Sequence, residues 1–248
     1  MRVSVPLIAV VLAIFAAMQI GSMFVPAYIM PPLSQTFGAL GHVLTVDWPS
    51  IGMTIVRVLG ALVCASICGT ALGCLMGMNG TLRPYLNSSL VIDTGIPALS
   101  WMLVAVFWFK NPEARIFFVL FVILLPFYAM NVYDGIKALP KDWLEAINVF
   151  RPTRWQVFAL LILPHIVPYI LMTTKSIVGY ATRMVVFAEL IGATIGIGAK
   201  MGLAEATFRM PEVLAWTLIL VVINIASQAG VGAIEKRLMH WRPEASLA

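Results

Sequence analysis

The chain is expected to fold as an all-α, polytopic membrane protein with six transmembrane helices, and three features of the sequence carry that expectation. Hydrophobic residues make up 61% of its 248 residues and charged residues only 11%, where a soluble domain carries about 25% charge. Mean hydropathy is +0.96. The apolar residues are also gathered into long runs, and a helix crossing a bilayer needs roughly 20 of them in succession.

Six runs meet that length, at residues 3–23, 51–78, 86–109, 116–136, 157–177 and 213–234. The first follows Met1 and Arg2 and precedes Ala16 and Ala17, so a cleavable signal peptide is the competing reading. Its apolar run is long for such a peptide, and its removal would leave an odd number of spans. The second run is rich in small residues. Gly60, Gly69, Gly73 and Gly77, with Ala61, Ala65 and Ala71, leave part of that helix without bulk. Small residues let membrane helices approach closely, either within one subunit, the more frequent case, or between two copies. Cys64, Cys68 and Cys74 lie on the same helix. A metal or redox role competes there with simple packing, which is favoured because no histidine or carboxylate lies nearby in sequence.

Lysine and arginine set the orientation, since short cytoplasmic loops retain positive charge. An inside amino terminus puts Arg2, Arg83, Lys137, Lys141, Arg151, Arg154, Lys236, Arg237 and Arg242 in the cytoplasm. Only Lys110, Arg115, Lys200 and Arg209 fall on the other face. Both termini are therefore expected in the cytoplasm.

Residues 143–168 interrupt the membrane pattern. Leu144, Ile147, Val149 and Phe150 alternate with Glu145, Asn148, Arg151 and Arg154, which predicts a short amphipathic helix ended at Pro152. The proline pushes Arg151 out of helical geometry. Thr153 then offers an N-cap for a second helix from Arg154. The result is an elbow on the cytoplasmic side, shaped to insert into a partner.

Here the sequence resembles the EAA loop of ABC importer permeases, through Glu145, Ala146, Leu161, Leu163 and Pro164. Ile147 stands where the second alanine is usual, and Arg151 where the glycine is usual. The resemblance covers nearly the whole chain and is nearest to the nitrate, sulfonate and taurine branch. Residues 25–35 occupy the place of its proline-rich lead-in, and residues 54–60 with Gly69, Gly73 and Gly77 resemble its arginine-and-glycine helix. Asp93, Pro97 and Trp101 follow in order. Ala188, Glu189, Leu190, Gly192 and Ala193 resemble the block placed after the fifth helix, with Gly196 and Gly198 behind it.

The resemblance implies a type I ABC importer permease fold in the bacterial cytoplasmic membrane. It divides the chain into a first helix and periplasmic lead-in (1–50), a permease core with the coupling loop at 141–164 (51–240) and a cytoplasmic tail (241–248). It further implies a homodimer, two cytoplasmic ATPase subunits and a periplasmic or lipid-anchored substrate-binding protein. Glu145, Ala146, Ile147, Phe150, Arg151 and Arg154 are then the ATPase-coupling residues. Lys200, Glu205 and Arg209, in the stretch 192–212 read as an outer loop with a short helix, are candidate contacts for the binding protein or plain solvated charges.

Arg57, Lys175 and Arg183 fall within or close to predicted spans, where a charge costs about 2.5–3.5 kcal/mol at mid-membrane. With Glu189 they either line a pathway for an anionic solute or are ion-paired and structural, Glu189 then being a partner for Arg183. Asp93 and Pro97 are four residues apart and share a helix face with Trp101 nearby. Cavity lining competes there with a packing kink.

No catalytic or metal-ligating set is expected. The chain contains no glycine-rich loop ending in Gly-Lys-Ser or Gly-Lys-Thr, no HExxH and no CxxC. ATP and magnesium are therefore expected on the partner ATPase that the resemblance implies, and no cofactor is expected on this chain. His42, His165 and His240 read as an outer-loop, helix-start and tail residue. The net charge of +5 suits loops facing anionic lipid, and no basic run suits nucleic acid. The expected function is import of a small anion such as a sulfonate, nitrate or carboxylate. Alternatives are an ABC importer for a neutral heterocycle such as a vitamin precursor, or an ion-coupled secondary transporter that needs no ATPase; neighbouring genes for an ATPase and a binding protein discriminate the last.

Overall fold

A computed structural model describes residues 5–239. Arg2, Arg242, His240 and the tail 241–248 lie outside the described residues. Every regular element among the described residues is helical. In order they are α1 (Val5–Gly21), α2 (Leu33–Val46), α3 (Trp48–Met78), α4 (Arg83–Gly95), α5 (Ala98–Trp108), α6 (Pro112–Lys137), α7 (Lys141–Asn148), α8 (Arg154–Val157), a π-helical segment (Phe158–Ile162), α9 (Leu163–Gly192), α10 (Ile197–Ala206) and α11 (Met210–Leu238).

Among the described residues, four helices are long and apolar enough to span a membrane: α3, α6, the continuous helix 154–192 and α11. A fifth span is made if α4 and α5 are counted together. α1 is an apolar helix of 17 residues, at the lower limit for a span.

The core is α3, α6 and α9 packed together, with Leu120, Leu124, Tyr128, Ala181 and Val185 in its main cluster. Glycine decides how closely α3 and α6 approach. A Cβ on Gly69 would stand 2.5 Å from Tyr128 Cβ, and one on Gly73 would stand 2.6 Å from the Ala129 carbonyl. The small residues of α3 are thus a packing face within the subunit, whereas Gly60 has open space beside it. The buried Tyr128 hydroxyl is paired with Thr174 Oγ1 at 2.8 Å. A second cluster joins α2, α10 and α11 through Val43, Ile197, Trp216 and Ile219.

Three expectations are corrected. Residues 86–109 do not form one straight helix: the chain breaks at Gly95, Ile96 and Pro97 and bends by 95°. Pro97 caps α5, because its ring and missing N–H fit a helix start and not an interior, so Asp93 and Pro97 do not share a helix face. The fifth span does not stop near residue 177. It runs to Gly192, so Ala188, Glu189 and Leu190 form its last turns; no proline follows Pro168 within it to break it, and its charges Lys175 and Glu189 are accommodated by pairing. His42 sits on α2, not in a loop.

The helices alternate in direction. Arg83, Lys137, Lys141, Arg151, Arg154, Lys236 and Arg237 fall at the end that carries α7 and α8, here the elbow end. Lys110, Arg115, Lys200 and Arg209 fall at the other.

Candidate functional site

The elbow is built as its sequence dictates. Pro140 stands in extended conformation before α7, and Asp142 lies in the first turn, where a negative charge suits the helix dipole. Helical structure ceases at Val149, and Arg151 adopts φ 48°. A non-glycine residue rarely takes this left-handed conformation, whose cost is about 1–2 kcal/mol. Glycine is free of that cost, which accounts physically for a glycine at this place in the resembling loops. Thr153 then caps α8: its Oγ1 accepts from Gln156 N at 3.3 Å, and Gln156 Oε1 accepts from Thr153 N at 2.7 Å.

Beyond α8 the helix widens. Leu163 N donates to the carbonyl of Phe158, a five-residue step. Pro164 and Pro168 lie immediately beyond. Neither has an N–H to continue the four-residue ladder, and a π-turn absorbs the mismatch.

The two arms of the elbow present a crest of apolar side chains. Val149 is 78% exposed, Phe150 84% and Trp155 72%. Glu145, Ala146, Arg151 and Arg154 are exposed around it, and Ile147 is half-buried. The elbow is tied to the bundle through Trp143, whose ring meets His165 of α9 edge-on with centroids 6.0 Å apart. His165 also lies against Tyr169, at 5.7 Å.

At the opposite end the structure assembles a site that the sequence did not reveal. Glu189 is fully buried. Its Oε1 accepts from Arg57 Nη1 at 2.6 Å, its Oε2 accepts from Gly198 N at 2.9 Å, and the Thr54 hydroxyl lies 2.8 Å from Oε1. Thr54 Oγ1 in turn accepts from Ile197 N at 3.0 Å. The carboxylate therefore satisfies the amino end of α10 as a capping anion. Arg57 also donates to both oxygens of Glu113 and to the Ile195 carbonyl, the latter at 2.7 Å. Gly196 makes the approach possible: it has φ 129°, and a Cβ there would stand 2.4 Å from Glu189 Cδ. Thr54, Glu113, Gly196 and Gly198 thus belong to a latch joining α3, α6, α9 and α10.

The expected pairing of Glu189 with Arg183 is corrected: Glu189 pairs with Arg57, and Arg183 Nε donates to the Gly179 carbonyl of its own helix at 3.2 Å. Lys175 is also paired, with Glu235 of α11 at 2.7 Å. Arg183 makes no ion pair among the described residues.

Asp93 and Trp101 both line a small cavity of about 80 Å³ at the α4–α5 break, and Asp93 Oδ1 is buried without a hydrogen-bond partner. Phe127 and Tyr180 separate it from a larger groove of about 440 Å³, to which Asn131, Thr173 and Ser176 contribute. Lys200 pairs with Asp47 at 2.5 Å, Arg209 pairs with Glu212 at 2.7 Å, and Glu205 is exposed on α10. Between Glu205 and Arg209, Phe208 adopts φ 56° and is 78% exposed.

The sequence pattern of one family, described as binding-protein-dependent transport system inner membrane components, matches residues 69–240. The taurine transport system permease TauC of Escherichia coli is 26% identical over 97% of this chain and 90% of its own. The nitrate import permease NrtB of Leptolyngbya laminosa is 25% identical over 76% of this chain and 68% of its own. The putative aliphatic sulfonates permease SsuC of Bacillus subtilis is 27% identical over 70% and 63% respectively. A solved structure of the MetNI methionine ABC transporter, inward facing, superposes with a TM-score of 0.68 at 15% identity, over 79% of this chain and 97% of the matched one. That likeness concerns the fold, which is that of a type I ABC importer permease. With more than half its length matched by the family pattern, the chain belongs to the binding-protein-dependent transport system inner membrane components, the permeases of ABC importers.

Proposed function

We propose that this chain, as a homodimer, forms the membrane pathway through which two cytoplasmic ATPase subunits drive inward movement of a small anion. A periplasmic or lipid-anchored binding protein delivers the solute. Both termini face the cytoplasm of a bacterial inner membrane, as the charge difference between the two ends of the bundle favours. ATP and magnesium are held by the ATPase subunits.

The observation that carries this reading is the exposed apolar crest of the elbow. Phe150 and Val149 are too exposed to serve the subunit's own core, and they sit at the bend between α6 and α9. Apolar anchors ringed by charge suit a groove in a partner protein. Trp143 against His165 carries displacement of that partner into α9. Because α9 also lines the 440 Å³ groove, through Thr173 and Ser176, motion at the elbow acts directly on a pathway wall. Coupling is thus a rigid-body contact.

An anionic solute is supported by Arg183, which lies seven residues after Ser176 and hence near the same face of α9, and by relatives named for taurine, nitrate and sulfonates. At the other end, Glu205, Phe208 and Arg209 offer contacts to the binding protein.

The test is ATP hydrolysis by the complex in nanodiscs, co-expressed with its genomic neighbours, across a panel of anions and aromatic acids with and without the binding protein. Stimulation by one anion, dependent on the binding protein, is the expected result. Recovery of the chain without any ATPase would favour a self-sufficient secondary transporter.

A further inference from the structure

A cavity of about 620 Å³ opens at the elbow end, between the carboxyl ends of α3 and α6, the start of α4 and both arms of the elbow. Three cations line it from three different elements: Arg83 of α4, Lys137 of α6 and Arg154 of α8. None of them makes an ion pair among the described residues. Leu139, Leu144 and Val157 supply apolar wall beside them. The exposed crest residues Val149, Phe150 and Trp155 do not line this cavity, and of the residues assigned to ATPase coupling only Arg154 does, so the cavity adjoins that face and shares one residue with it.

We propose that this cavity binds the headgroup of an anionic phospholipid, and that the lipid wedges the elbow against the bundle. The inference rests on the coupling reading given above for its consequence, though not for the binding itself. Like charges converging on one void repel one another unless an anion lies between them. A phosphodiester supplies that anion, and basic pockets between helices at the cytoplasmic surface suit such headgroups. The apolar wall selects the source. Inorganic phosphate would neutralise the cations and leave Leu139, Leu144 and Val157 against water, whereas the glycerol backbone and upper acyl chains of a lipid cover them. Because Leu144 belongs to α7 and Arg154 and Val157 to α8, an occupant touches both arms of the elbow at once. Coupling then depends on lipid composition.

The test is native mass spectrometry of the intact complex titrated with phosphatidylglycerol or phosphatidylcholine, in the wild type and in an Arg83→Gln/Lys137→Gln variant, whose changes lie outside the elbow. Retained phosphatidylglycerol should exceed phosphatidylcholine. In the double variant its apparent affinity should fall about tenfold or more, since each cation near the surface contributes to anionic lipid binding. Arg83→Lys/Lys137→Arg should restore it, and Lys236→Gln should leave it unchanged. Equal retention of the two lipids, or of phosphatidylglycerol by the double variant, would overturn the proposal. So would saturable binding of inorganic phosphate that displaces the lipid, which would assign the cavity to a soluble anion. Lipid retention is read without nucleotide, so a failure of the coupling reading leaves this result intact and is seen separately in ATP hydrolysis.

Discussion

Arg57 and Glu189, 132 residues apart in sequence, meet at 2.6 Å with the Glu189 side chain fully removed from solvent. The Arg57 guanidinium is shared with Glu113, whose side chain is 53% exposed. The two carboxylates therefore contribute unequally. Removing one partner of a buried pair costs about 3–5 kcal/mol, because the other charge is left without compensation, whereas an exposed pair contributes about 0–1 kcal/mol. Glu189→Ala also strands the Gly198 amide, whereas the Thr54 hydroxyl keeps the Ser50 carbonyl as an acceptor. It should lower the apparent melting temperature of the complex in detergent far more than Glu113→Ala. Equal losses in the two variants would mean that the latch contributes little.

The apolar runs made the membrane class legible, because a span must be long and apolar whatever it packs against. The elbow was legible too, since Pro152 and Thr153 act on their immediate neighbours and the observed cap at Thr153 is local chemistry. Contacts across the fold left no comparable trace. Glu189 reads locally as one more charge near a helix end, and only the fold brings it to Thr54, 135 residues away. The break at Gly95 and Pro97 did leave a local signal, but a continuous apolar composition on both sides concealed it. Hydropathy measures how far a segment prefers lipid and is silent on whether it bends.

Gly196 permits the latch to close. Its φ of 129° is open to glycine and strained for other residues, and an added Cβ would collide with the Glu189 carboxyl carbon at 2.4 Å. Gly196→Ala should therefore reproduce much of the loss seen in Glu189→Ala. Gly202→Ala is the matched control, since its Cβ would meet only Leu190 Cγ at an ordinary 3.5 Å. The two glycine variants should separate clearly in thermal stability, and a normal melt for Gly196→Ala would argue that the α9–α10 turn can re-form in another geometry.

Of the three cations first seen as pathway candidates, Arg57 and Lys175 are each committed to a carboxylate. Arg183 keeps its charge free of any ion pair among the described residues. If anion passage depends on an intramembrane cation, Arg183→Gln should lower uptake and solute-stimulated ATP hydrolysis by about tenfold, equivalent to one charge-assisted hydrogen bond. Lys175→Gln should do much less, as its charge is already offset by Glu235. Uptake in proteoliposomes measures both. Full activity in Arg183→Gln would remove it from the pathway and shift attention to the neutral polar groove of Asn131, Thr173 and Ser176.

The elbow makes the sharpest demand on shape, because its left-handed turn sits between an apolar crest and a tether to α9. At Arg151, φ 48° tolerates glycine and opposes a β-branched side chain. Arg151→Gly should retain solute-stimulated ATP hydrolysis, and Arg151→Val should lose most of it, with no change in membrane insertion for either. Glu145→Lys reverses a rim charge, and Ala146→Trp adds bulk on the exposed face beside it. Both variants should insert normally and fail to couple, either by shedding the ATPase during purification or by hydrolysing ATP without response to solute. Pull-down of the ATPase separates these two modes. Normal solute-stimulated hydrolysis in Glu145→Lys and Ala146→Trp together would mean that the partner grips the permease elsewhere, and the exposed crest around Phe150 would then have no assigned purpose.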